Sequence, residues 1–201
     1  ECGVSVEINM RPFDTQFMEN LELLLAQVNR AETLLSCLKA LLSSESEDQY
    51  PPERQVFESQ RYNDFFGVIS SSIRNMLVLQ CYSLLDKRKD VNSISNISMP
   101  TDEAINIPDE IICIWEKVKK IRHKSVAHID LNVSPKSLYA DANLTYGELE
   151  LFVQFAKNMT LNICKAHKLQ IQSLRNTSDV TVATKNVLHD LFYVMNEKLQ
   201  K

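Results

Sequence analysis

Glycine is scarce in this chain of 201 residues: only Gly3, Gly67 and Gly147 occur, with six prolines. Phosphate-cradling loops and many-turned β-sandwiches both spend glycine on backbone geometry that other residues resist, so neither is expected. No apolar run approaches the roughly 18 residues needed to cross a bilayer, which argues against an integral membrane protein. The opening ECGVSVEINM lacks a basic stretch followed by an apolar core and does not read as a signal peptide. There is no Walker loop, no G-x-G-x-x-G, no G-x-S-x-G and no H-E-x-x-H. The cysteines (Cys2, Cys37, Cys81, Cys113 and Cys164) are odd in number and widely spaced, without a C-x-x-C pair. That removes the ligand spacing of a zinc site. Four of them lie in apolar runs such as LLSCL and IICIW, a pattern expected of buried free thiols in a reducing cytoplasm. Neither a metal nor another cofactor is expected.

Hydrophobic residues make up 44% of the chain and charged residues 24%, ordinary values for a globular domain. The net charge is −4, unevenly spread. Residues 1–60 hold eleven Asp and Glu against four Lys and Arg, whereas the remainder holds fifteen against eighteen. Bulk binding to nucleic acid is therefore not expected, although a local basic site remains open. Five N-x-[ST] triplets occur, at Asn96, Asn132, Asn143, Asn158 and Asn176; with fifteen asparagines present, they read as chance.

What is abundant is helical periodicity. Phe17, Leu21, Leu24, Val28, Ala31, Leu35, Leu38 and Leu42 alternate in steps of four and three, predicting a helix over 14–43. Phe66, Ile69, Ile73, Leu77, Cys81 and Leu84 mark a second, over 53–85. Residues 87–107, rich in Ser, Asn and Asp, read as a loop with one short turn. A third helix opens at Pro108–Asp109–Glu110 and runs through Ile111, Ile112, Ile114, Trp115, Val118 and Ile121. A loop is expected near 129–144. A fourth helix covers 145–173, opened by a capping-box pattern at Thr145 and Glu148, and a fifth covers 179–199. The expected fold is all-α, a single-domain bundle of about five helices.

One stretch stands apart. From 117 to 124, five of eight residues are Lys or Arg and none is acidic: Lys117, Lys119, Lys120, Arg122 and Lys124. A solvated cationic helix end, favoured by the helix dipole, is one reading. The other is a phosphodiester-cleaving site. His123 and His128 can move protons near neutral pH, and Arg122 can neutralise a phosphorane-like transition state. Arg122 and His128 are six positions apart, about 240° around a regular helix, and so do not share a face. They converge only if the helix ends or distorts near Ala127, or if two copies meet across a two-fold axis.

The motif Arg122-His-Lys-Ser-Val-Ala-His128 resembles the signature of the HEPN superfamily, in which Arg, a polar residue and a later His follow one another in an all-α chain. Its extended form IRHKSVAHID, with Ala127 before His128 and Asp130 after it, is similar to the abortive-infection (AbiU-type) branch, as is the preceding SLLD (Ser83 to Asp86) with its polar loop. The resemblance covers residues 55–170. It implies a HEPN-like bundle and a metal-independent endoribonuclease, active as a homodimer in a phage-defence or toxin-like system. Arg122 would bind the scissile phosphate and His128 would serve as general acid or base. His123 stands where Asn or Asp is commoner. Lys117, Lys119, Lys120 and Lys124 would contact RNA, and an antitoxin or defence-system protein would be a further partner. Left open are a non-catalytic RNA-, nucleotide- or protein-binding module and an interaction bundle that recruits a partner helix.

Overall fold

In a computed structural model the described residues are 15–42, 63–97, 105–127, 135–167, 181–187 and 189–190. Helix α1, Thr15–Leu42, turns Leu21, Leu24, Val28, Ala31, Leu35 and Leu38 into one buried line. Helix α2, Asn63–Leu84, contributes Phe66, Leu77, Val78, Cys81 and Leu84. Helix α3, Asp109–Ile121, contributes Ile111, Ile114, Val118 and Ile121. Burial of each such side chain is worth about 1.5–3 kcal/mol, so these stripes, more than helix propensity, hold the helices in place. Among the described residues there is no strand, and no helix is long and apolar enough to cross a membrane.

Pro135–Ala142 forms a short helix, α4, where the sequence reading expects a loop. Proline is its first residue, and a helix tolerates proline there because that amide has no intrahelical partner to lose. Helix α5, Tyr146–Ala166, starts at the capping box that Thr145 and Glu148 predict, and buries Leu149, Phe152, Val153, Ala156 and Ile163. It runs antiparallel to α1. Phe17 stacks near His167 (ring centroids 4.3 Å), Glu32 pairs with Lys157 (2.7 Å), the Tyr146 hydroxyl donates to the Leu35 carbonyl (3.3 Å), and Lys39 pairs with Glu150. Residues 181–187 and 189–190 are helical, within the expected fifth helix.

One further expectation needs correction. Cys113, inside the apolar run IICIW, is exposed, as is Ile112. Both sit on the outer side of α3, because the run is longer than the arc its helix buries. The described part of the polar loop holds the one short turn expected, Ile94–Asn96. Ile94 and Ile97 reach the core, and the Asn96 side-chain amide donates to the carbonyls of Arg88 (2.6 Å) and Val91 (2.7 Å). Ser93 Oγ donates to the Asp86 carbonyl at 2.6 Å. The Asn96 amide is thus spent on holding the loop.

Candidate functional site

The exposed flanks of α3 divide its cations into two groups. The buried stripe runs through Ile111, Ile114, Val118 and Ile121. On one flank lie Lys117 and Lys120; on the other lie Trp115, Lys119 and Arg122, at spacings of four and three.

The first flank is engaged with the helix junction beside it. Lys117 Nζ donates to Glu148 Oε1 (2.6 Å) and to the Asn143 carbonyl (2.8 Å), while Lys120 Nζ donates to the Asp141 carbonyl (2.9 Å). Asn143 is the left-handed turn residue between α4 and α5, with φ 49°, a conformation that asparagine tolerates better than most residues. These two lysines tie α3 to that turn.

The second flank carries an aromatic column. Tyr82 of α2 lies against Trp115, with ring centroids 5.9 Å apart and planes 14° from parallel, and the indole N–H donates to the Tyr82 carbonyl at 3.3 Å. The Arg122 guanidinium stands 4.6 Å from the same tyrosine ring. Tyr82 thus contacts both Trp115 and Arg122, which lie seven residues apart on one flank. Lys119 covers the Trp115 ring at 5.1 Å and reaches Glu116 at 3.3 Å. The His123 ring stands roughly perpendicular to that of Tyr82 (centroids 6.5 Å, 75°) and is exposed, as is Lys124.

A buried acid feels the charge of Arg122. The Asp86 side chain, 5% exposed, accepts from the Arg88 amide (3.1 Å) and from Arg88 Nε (2.9 Å). Burial alone would push this carboxyl up. The Arg88 hydrogen bonds and charge, joined by the charge of Arg122, outweigh that and hold it below the usual carboxylate range. Arg122 thus lies over an aromatic ring and within the field of a carboxylate, and a guanidinium offers paired donors whose geometry suits bidentate contact with an oxyanion. Sequence reading did not single out Tyr82, Asp86 or Trp115 for the site. The signals were present in the SLLD segment and in the 115–119–122 spacing.

The chain does not stay α-helical through the motif. After Ile121 the winding widens to a π turn over Arg122–Ala127. His128 and Asp130 lie outside the described residues. Among the described residues no group of three or more His, Cys, Asp or Glu side chains could hold a metal ion.

An all-α bundle with a basic Arg-His turn at the end of a core helix, set against the polar end of the helix before it, has the architecture of a HEPN domain. The sequence model of the HEPN family AbiU2 matches residues 17–180. The chain belongs to the AbiU2 family of HEPN proteins, domains associated with abortive infection. The match takes in α1 as well as the 55–170 stretch that carries the motif resemblance. Comparison with curated proteins and with solved structures gives no match.

Proposed function

We propose that this chain is a metal-independent endoribonuclease acting in phage defence or in a toxin-like system. The observation that carries the reading is the fixed Arg122 guanidinium, set on Tyr82 at the start of the π turn and six residues before His128. In the proposed reaction His128, or its counterpart in a second copy, removes the proton of a ribose 2′-hydroxyl. The 2′-oxygen then attacks the adjacent phosphorus. Arg122 neutralises the charge gathering on the non-bridging oxygens. The 5′-oxygen leaves with a proton from a protonated imidazole, and a 2′,3′-cyclic phosphate remains. His123 stands exposed beside Arg122 and against the Tyr82 ring. RNA is the substrate, a homodimer is the working form, and an antitoxin or other defence protein is the expected regulator.

The test is incubation of the full chain with total RNA in EDTA. Cleavage should persist and yield cyclic phosphate ends, and a 2′-deoxy group at the scissile position should block it. His128→Ala should lose about 10²–10⁴-fold, the range for a general acid–base group. Arg122→Ala should lose about 10²–10³-fold through transition-state charge stabilisation. If EDTA abolishes cleavage, or His128→Ala cuts as well as wild type, the assignment is wrong and a non-catalytic binding module takes its place.

A further inference from the structure

We infer that Tyr82, on the helix before the motif, is a positioning residue for Arg122, and that Trp115 backs it; this deepens the ribonuclease reading and rests on it. An arginine on a helix surface has several soft torsions and many ways to offer its charge. Here the guanidinium is 4.6 Å from the Tyr82 ring, close enough for the ring quadrupole to hold it. The tyrosine is itself restrained. Trp115 lies nearly parallel to its ring, and the Trp115 indole N–H donates to the Tyr82 carbonyl. Tyr82 is partly exposed and its neighbours Cys81 and Leu84 are fully buried, so the backbone beneath the ring is anchored in the core. The column therefore connects the bundle interior to the reactive cation through two helices. Its role is to orient the donors of Arg122, leaving its charge unchanged.

That division has a kinetic signature. Loss of the ring leaves the positive charge that draws phosphate into the site, so KM should stay close to wild type. Loss of orientation is felt where the donors must meet developing charge, and so falls on kcat. Tyr82→Leu should lower kcat roughly 3- to 30-fold, the span of a cation–π contact expressed as a rate. Tyr82→Phe keeps the ring face and should restore nearly all of it. In an Arg122→Ala background, Tyr82→Leu should cost nothing more, because the two act through one group.

The assay uses the full chain in EDTA, with a fluorophore-labelled single-stranded oligoribonucleotide taken from a site cut in total RNA. Circular dichroism checks each variant's fold. If Tyr82→Leu does not hold its fold, Tyr82→Met, of similar reach without a ring, replaces it. Wild-type cleavage together with unaltered kcat in the ring-less variant, additive losses with Arg122→Ala, or equal losses in Tyr82→Phe and Tyr82→Leu would overturn the role of Tyr82 and leave the ribonuclease reading standing. Absence of cleavage by the wild-type chain would overturn both.

Discussion

Lys117 of α3 and Glu148 of α5 form an ion pair (Nζ to Oε1, 2.6 Å), and the same carboxylate closes the capping box by accepting from the Thr145 amide at 2.8 Å. A lysine that sequence charge assigns to RNA therefore has a structural task. It links the end of the motif helix to the start of the next long helix.

Lys117→Ala should cost about 1 kcal/mol of stability, the net worth of a charged hydrogen bond at a partly buried position, and leave cleavage intact. Urea unfolding measures the first and the RNA assay the second. A pH dependence follows. Burial pushes the Glu148 carboxyl up, but the Lys117 hydrogen bond, the Thr145 bonds and the Lys117 charge together hold it below its ordinary value. A depressed folded-state value means stability that is present above the unfolded value, about 4.3. That stability is lost as pH falls through the folded value. Glu148→Gln should flatten the acid limb of the stability curve, though not fully, since Asp86 is depressed in the same direction. An acid limb identical to wild type would refute the linkage.

The two flanks of α3 should separate in salt titrations. Lys119→Gln with Lys124→Gln removes cations beside Arg122 and His123, and should reduce the log–log salt slope of RNA binding by about one to two units. Lys117→Gln with Lys120→Gln should leave it nearly unchanged, because both cations already serve the turn before α5. A larger effect from the second pair would put RNA on the opposite flank.

Thiol chemistry reads the bundle directly. Cys81 is wholly buried, and burial pushes its thiol up to about 12. Cys113 is exposed. Iodoacetamide at neutral pH should alkylate Cys113 in the native chain and spare Cys81 until urea unfolds it, as peptide mass mapping would show. Equal rates at the two positions would contradict the packing of α2.

The bundle was legible wherever a stripe faces a single core. α1 and the capping box of α5 follow the expected pattern to within a residue or two, because hydrophobic spacing and end chemistry agree there. Legibility failed where one residue type carries two meanings. Pro135 reads as a loop marker but opens α4, and Cys113 shares an apolar run with residues that point the other way. At the site, local charge marked Arg122 and its lysines. Tyr82 and Asp86 were not singled out, although SLLD follows Tyr82 and ends at Asp86, because their relation to Arg122 spans 40 and 36 residues of sequence and no periodicity records it. Nor could charge alone tell that Lys117 and Lys120 were already committed to carbonyl and carboxylate partners.

The π turn has a consequence for how the chain parts company with its own core. Ile111, Ile114, Val118 and Ile121 are spaced three, four and three apart, and at unbroken α-helical pitch the next members of that series would be Ser125 and His128. A straight helix would thus steer a hydroxyl and an imidazole along the track laid by four buried aliphatic side chains. The coarser thread that begins at Arg122 takes more residues per revolution and throws the series out of step after Ile121, as a change of gear would. The backbone leaves the register of the interior stripe there without a proline or glycine to break the helix. The length of the 122–127 segment, and not only its composition, is therefore part of what the motif specifies.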